Sequence, residues 1–348
     1  MSDQQSYFSG WDIGGAHVKV ARCDNTGSVI NVLQVACPLW KGIEHLASAI
    51  QEIQKQLNNH NDLAAVTMTG ELVDIFENRQ AGVSKILACI ENYILTENIH
   101  VYAKDNTWLT TTEARLHWSQ VASMNWQASA IFTADSIDSG LFIDIGSTTC
   151  DIIPIKKGKV CSQGLDDHQR QVSRELLYTG AIRTPLIALT NIAPFDGHLI
   201  NLAAEVFATT GDCWRLLDKL EAASILDSSS DGMPWHKKDC ARRLARLLGT
   251  DAEQPLSPQW QQLAQWFAEQ QVHQINNACL QVISNHADIP ANAPIIGAGV
   301  GRFIAQSCAE RLNRPFIDFS TLITPNLSVA ADHAPAVAVA LLAQQQFT

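Results

Sequence analysis

Apolar and polar positions alternate through YFSGWDI, break at a Gly-Gly pair, and resume in HVKVARCD and then, after the turn DNTG, in SVINVLQVA. Period-two alternation punctuated by turn residues predicts three consecutive antiparallel strands. From Gly42 to about Leu57 the apolar positions Ile43, Leu46, Ala47, Ile50, Ile53 and Leu57 recur with helical spacing. DLAAVTMTG reads as a buried strand ending in a glycine, 71–95 as helical, and HVYAKDN as a further strand. Residues 113–131 read as an amphipathic helix carrying Trp118 and Trp126. The order is βββαβαβα.

The pattern then restarts. LFIDIGS, TTCDIIPIKKG and KVCSQG predict three more short strands. An insertion follows from about 167 to 290 and reads as almost wholly helical. It includes GHLINLAAEVFATTGDCWRLLDKL and a long helix with Ser257 as N-cap and Pro258 at its first position. DSSSDGMPWHKK, residues 227–238, reads as a polar loop and the segment expected to move most. The α/β pattern returns in APIIGAG, VGRFIAQSCAERL, RPFIDFS and the Ala-rich HAPAVAVALLAQQQ. The chain therefore reads as two βββαβα-type halves, the second with an insert. Such a duplication predicts an α/β fold of two similar lobes facing each other across a cleft. The lobes are expected at 1–135 with the closing helix 333–348, and at 136–332.

At 348 residues, 46% hydrophobic, the chain suits two domains with a large core. No run approaches the roughly 18–20 apolar residues that span a bilayer. MSDQQSYFSG has neither a basic nor an apolar leader region, so a cytoplasmic location is expected and no membrane partner. The nine cysteines show no CxxC spacing and the eleven histidines do not cluster, which suits reduced, buried thiols and argues against zinc. A net charge of −11 offers no basic face for nucleic acid. The five Lys/Arg of HKKDCARRLARLLG read as one solvated helix face. The tryptophans at 108, 118, 126, 214, 235, 260 and 266 read as packing residues.

Candidate chemistry lies where each half opens. GWDIGGAH and FIDIGSTTCD both run a buried strand into Asp-Ile-Gly. Glycine lets backbone N–H groups approach phosphate oxygens, and the carboxylate can hold Mg²⁺ beside them. Gly14, Gly15 and Asp12 form the first corner; Asp144, Gly146, Ser147, Thr148 and Thr149 form the second, with Asp151 two residues on. PIIGAGVGRF adds a strand-to-helix turn through Gly297, Gly299 and Gly301, whose helix N-terminus favours anions. Its place after three antiparallel strands argues against a dinucleotide fold.

These three pieces resemble the phosphate-1, phosphate-2 and adenosine motifs of the actin-like ATPase superfamily. Within it, GWDIGGAHVKVA, TMTGELVDIF, FIDIGSTTCDIIPI, LLYTGAIRTP, LAAEVFAT and IIGAGVGRF resemble the hydantoinase/oxoprolinase-related proteins of tetrahydromethanopterin-linked one-carbon metabolism. The resemblance implies a duplicated RNase H-like, actin/acetate-kinase-like two-lobed fold with a helical insertion in the second lobe. It also implies a transferase of methanofuran or methylofuran biosynthesis. Such an enzyme joins an aminomethyl-furanmethyl diphosphate to the phenol oxygen of a glutamyltyramine- or tyrosine-type acceptor and releases diphosphate. The expected partners are those two small molecules; oligomeric state is not readable.

Superfamily kinases usually carry a hydroxyl residue just after the first Asp-x-Gly. Gly15-Ala16-His17 stands there instead, so ATP is not expected to be consumed. Lys19 shares a strand face with His17 and could meet a phosphate as a point charge. Asp12 and Asp144 are the expected Mg²⁺ ligands. His17, Glu71 and Asp151 are the candidate bases for the phenol, whose free pKa is about 10. Two other activities suit the same fold: an ATP-dependent kinase or amidohydrolase, and a nucleotide-switched interaction protein.

Overall fold

The computed structural model describes residues 7–57, 61–96 and 98–348. The chain divides into two compact units. One comprises Met1–Phe142, Ile155–Cys161 and Ile317–Thr348; the other comprises Ile143–Pro154 and Ser162–Phe316.

The first half runs β1 (Tyr7–Ile13), β2 (His17–Asp24), β3 (Val29–Ala36), α1 (Glu44–Leu57), β4 (Leu63–Met68), α2 (Arg79–Tyr93), β5 (Ile99–Ala103), β6 (Thr107–Leu109), α3 (Thr111–Leu116) and α4 (Asn125–Ala134). Its strands form one sheet in the order β3-β2-β1-β4-β5-β6, with β1–β3 antiparallel and β4 parallel to β1. The apolar stripe of α1 and the inner face of α2 bury Leu46, Ile50, Ile53, Val83, Ile86 and Ile90 against Trp11, Val18, Val20 and Val66.

The second half runs β7 (Ser139–Ile145), β8 (Cys150–Lys156), β9 (Lys159–Val160), α5 (Asp167–Ser173), β10 (Leu176–Leu177), β11 (Ile192–Phe195), β12 (His198–Asn201), α6 (Thr210–Leu216), α7 (Lys237–Leu248), α8 (Gln259–Asn285), β13 (Ile295–Ala298), α9 (Arg302–Arg311), β14 (Phe316–Asp318), α10 (Ser328–Asp332) and α11 (Ala334–Phe347). Its sheet order is β10-β8-β7-β13-β14, with β9 paired to β8. The central order β2-β1-β4-β5 of the first sheet recurs as β8-β7-β13-β14. This is the duplicated α/β fold that the resemblance implies. The closing helix α11 packs on β1, β2 and β4. It approaches so closely that a Cβ on Gly10 would overlap the Ala336 carbonyl and Ala340. The alanines of α11 make that approach possible.

Four expectations change. The helix read over 113–131 is two helices, with a 3-10 turn at Trp118–Gln120 and a left-handed Ser123 (φ 56°) between them. The helical pattern over 71–95 starts as a helix only at Arg79, where the Asn78 side chain accepts from the Ala81 N–H at 2.9 Å. The insert is not almost wholly helical. GHLIN is the β12 arm of a β11–β12 hairpin, and the helix begins only at Thr210, where the Asp212 side chain accepts from the Thr209 N–H at 2.9 Å. In α8, Pro258 rather than Ser257 occupies the N-cap position.

The basic helix α7 also departs from its reading as one solvated face. Arg243 is fully buried, donating from Nε to Asp212 Oδ1 at 2.8 Å and from Nη1 to Asp231 Oδ1 at 2.9 Å. Its guanidinium lies 5.1 Å from the Trp235 ring centroid. Arg242 and Arg246 reach the other Asp231 oxygen at 3.2 and 3.3 Å. The polar loop 227–238, expected to move most, is thus pinned at Asp231 by three arginines. Partial burial pushes the Asp231 carboxyl up, but the Met233 N–H and the arginines outweigh it and hold the pKa at about 2.

A depressed carboxylate stabilises the fold above its unfolded pKa, near 4, and that contribution vanishes as pH falls through the folded value. Asp231 therefore contributes about 2 kcal/mol at neutral pH, lost between roughly pH 4 and pH 2. Urea unfolding should show a D231N variant less stable at pH 6 and less sensitive to acid over that window. A wild-type slope retained in D231N would contradict this.

Candidate active site

The sheet register builds the first corner. Asp12 at the end of β1 lies opposite Lys19 of β2 and Thr67 of β4, and Lys19 lies opposite Gln34 of β3. Directly opposed residues share a face, so Gln34, Lys19, Asp12 and Thr67 form one polar row across the sheet. Lys19 Nζ stands 3.9 Å from Asp12 Oδ2, with Asp12 buried and Lys19 part-exposed. The Thr67 hydroxyl is buried and makes no hydrogen bond among the described residues.

The turn beyond Asp12 closes with the Gly14 N–H donating to the His17 carbonyl at 3.0 Å. The end of β4 seals it from the side: the Thr69 N–H donates to the Ile13 carbonyl at 3.0 Å. A Cβ on Gly70 would meet Ile13 O and Gly14 O at 3.2 and 3.3 Å, and one on Gly15 would meet the Val73 side chain at 2.8 Å. His17 is buried at the start of β2, on the same strand face as Lys19. Glu71 is buried beside Gly70; its carboxylate accepts from Ser123 Oγ at 2.7 Å, and Gly82 of α2 packs directly on its backbone.

The second corner repeats this construction at a constant sequence offset. Asp144 replaces Asp12, and the Gly146 N–H donates to the Thr149 carbonyl at 3.0 Å. The Gly301 N–H donates to Ile145 O at 2.8 Å, as Thr69 does to Ile13. Gly299 has φ +79° and lies against Ile145 O and Asp144 Oδ1, where any Cβ would overlap both. Both its conformation and its approach require glycine. Gly301 is packed on Ile145 and Ala181, whereas Gly297 sits within β13 under the Phe316 ring. Helix α9 starts at Arg302, whose Nη1 donates to Gly299 O at 3.1 Å.

The charge does not repeat. Asp151 occupies the place of Lys19, and its Oδ1 accepts from Arg170 Nη2 at 2.6 Å, with Arg170 almost fully buried. The second corner receives a cation from elsewhere. The insert segment 180–183 straps the turn: Ala181 N–H donates to Gly146 O at 2.9 Å, and Ile182 and Arg183 N–H donate to Ser147 O at 3.2 and 2.8 Å. The Arg183 side chain then reaches Thr148, Nη1 to Oγ1 3.5 Å. Buried Gln271 of α8 holds the strap, donating to Thr179 Oγ1 at 3.0 Å and Gly180 O at 2.7 Å and accepting from Trp214 Nε1 at 2.9 Å.

Sequence reasoning assigned no role to Gly180, Arg183, Thr67 or Gln271. Gly180 and Arg183 lie in LLYTGAIRTP and Thr67 in TMTGELVDIF, both pieces of the family resemblance, whereas Gln271 carries no local signal. A Cβ on Gly180 would overlap the Ser147–Thr148 peptide. Gly180→Ala should therefore cost roughly 1–3 kcal/mol by overpacking and lower activity by displacing the turn. Wild-type stability in urea together with wild-type rates would contradict that.

The donor set suits a metal that arrives with a phosphate ligand. Among the described residues, no three His, Cys, Asp or Glu side chains come together as a cage. Mg²⁺ ordinarily takes one or two carboxylates plus substrate phosphate oxygens, and each corner presents one carboxylate, the first with an unbonded hydroxyl in its row. The cysteines are free thiols, eight of them buried, and desolvation pushes Cys23 and Cys37 up to about 12. Among the described residues, no helix is long and apolar enough to cross a membrane.

The hydantoinase/oxoprolinase profile matches residues 62–346. A (γ-glutamylaminoethyl)phenoxymethyl-furan-methanamine synthase from Methanocaldococcus jannaschii is 30% identical over 342 residues, 97% of each chain. The same-named protein of Methanococcus vannielii is 39% identical over 126 residues, 36% of this chain and 56% of that one. Among solved structures, nucleotide-free acetone carboxylase matches 97% of this chain and 70% of its own with a TM-score of 0.61 at 10% identity, a likeness of fold alone. Matched along most of its length by the profile and by a full-length relative, the chain belongs to the hydantoinase/oxoprolinase family.

Proposed function

We propose that the chain is a transferase that condenses an aminomethyl-furanmethyl diphosphate with the phenol oxygen of a glutamyltyramine- or tyrosine-type acceptor in methanofuran or methylofuran biosynthesis. The observation that carries this reading is the full-length match to a relative named for a phenoxymethyl-furan product. An aryl ether at the furanmethyl carbon requires a leaving group there. An Asp-x-Gly corner with a half-buried glycine turn suits the phosphates of such a group. The setting in tetrahydromethanopterin-linked one-carbon metabolism follows from the same family resemblance.

The C–O bond to diphosphate breaks and its electron pair leaves with the diphosphate. The furan ring delocalises the positive charge on the methylene carbon. The phenol oxygen forms the new C–O bond and gives up its proton to a base. At the first corner Lys19 would offer a phosphate a point charge, and at the second the hydroxyls of Ser147, Thr148 and Thr149 would offer it hydrogen bonds. Mg²⁺ held by Asp12 or Asp144 with the diphosphate oxygens would supply further neutralisation of its charge.

Of the candidate bases His17, Glu71 and Asp151, His17 alone lies in the turn and return strand between Asp12 and Lys19. His17, at the first corner itself, is the residue we assign to proton removal. H17Q should lower kcat by about 10²–10⁴-fold, the range of a general base, with the melting temperature close to wild type. A folded H17Q with wild-type kcat would remove His17 from the role.

The direct assay incubates the protein with Mg²⁺, the furanmethyl diphosphate and a tyramine-type acceptor, with and without ATP, and follows phosphate species by phosphorus NMR. One diphosphate per condensed product, independent of ATP, is expected. ATP turnover without condensed product would replace this reading with a kinase or nucleotide switch.

A further inference from the structure

We propose that Arg183 is a substrate-binding residue that grips the diphosphate at the second corner, the counterpart of Lys19 at the first. The inference rests on the diphosphate reading above and adds a residue to it. The two corners share their backbone: the same Gly N–H to carbonyl closure, the same seal on the Asp-Ile carbonyl, and an Asp at the same place. They differ in where the cation comes from. In the first, Lys19 stands on the neighbouring strand, directly opposite Asp12. In the second that place belongs to Asp151, which is paired with buried Arg170, so the strand itself places no cation there.

Arg183 supplies one by another route. Its own N–H bonds Ser147 O at 2.8 Å, which fixes the start of the side chain on the hydroxyl turn. Its guanidinium lies 3.5 Å from Thr148 Oγ1 and 3.8 Å from Asp227 Oδ1, and the side chain is 39% exposed. Asp227 is nearly buried. The guanidinium is therefore held near both a carboxylate and a threonine hydroxyl of the turn, and part of the side chain is exposed. A planar guanidinium donates two parallel N–H bonds to phosphate oxygens, which an ammonium cannot. The ligand class this suits is a diphosphate monoester or diphosphate itself.

The test measures binding of inorganic diphosphate with Mg²⁺ to the full chain by calorimetry, for wild type, R183M, R183Q and R183K. Wild type should bind. The neutral variants should bind about 10- to 100-fold more weakly, the range a charge-assisted pair supplies. R183K should recover part of the loss. The KM for the furanmethyl diphosphate should rise in the same order, and that for the phenolic acceptor should not.

Two neutral variants guard against one failing to fold, with thermal melts as the control. Wild-type binding matched by a folded neutral variant would overturn the assignment and leave Arg183 as a prop for Asp227 and Thr148. No binding of diphosphate to wild type would instead overturn the diphosphate reading itself, and Arg183 with it.

Discussion

Asp144→Asn and Asp12→Asn should each lower kcat/KM for the furanmethyl diphosphate by about 10²–10³-fold, the loss typical when one preorganised electrostatic contact to a developing charge is removed. The two carboxylates stand at matching places in the two corners, each at the end of a buried strand, one residue before the Ile whose carbonyl seals the turn. Asparagine is the informative replacement. Gly299 lies directly on Asp144 Oδ1, so alanine would leave a gap there and confound charge with packing. Asparagine keeps the shape and removes the charge. Melting temperatures should stay close to wild type while diphosphate release falls. If D144N turns over at the wild-type rate, the corner does not hold the leaving group or its metal.

Arg243→Met should destabilise the protein by about 3–5 kcal/mol, because it leaves the fully buried Asp212 without its cation. Asp231, exposed at its edge, keeps Arg242 and Arg246 and loses less. The double variant R243M/D212N should cost clearly less than the sum of the two single changes, since the second change removes the stranded charge. Urea denaturation reads both results. A single-variant loss under about 1 kcal/mol would mean that the pair is not the anchor of α7 and the loop before it.

The corners were legible in sequence because their signal is local. Each is an apolar strand, an Asp-x-Gly and a return strand, so Asp12, Gly14, Asp144 and Gly146 could be placed without knowing the fold. The strand period also put His17 and Lys19 on one face. The remainder depends on partners distant in sequence. Arg183 acts on Thr148 across 35 residues, and Gln271 on the strap across 91. Nothing in the neighbourhood of either residue encodes the distant turn. Arg243 reads as a surface charge beside Lys237 and Lys238, because helical spacing reveals which residues share a face but not that a buried acid waits opposite. The strands β10, β11 and β12 are two to four residues long, too short for alternation to stand out from helical periodicity. The left-handed Ser123 is likewise invisible locally, and its hydroxyl bonds Glu71, 52 residues away.

The measurement that bears most directly on the transferase reading uses a tyramine-type acceptor labelled with oxygen-18 at the phenol, the furanmethyl diphosphate, Mg²⁺ and no ATP. Attack by the phenol oxygen on the furanmethyl carbon places the label in the ether of the product and none in the released diphosphate. Label in a phosphate species, or no ether product at all, would contradict the account.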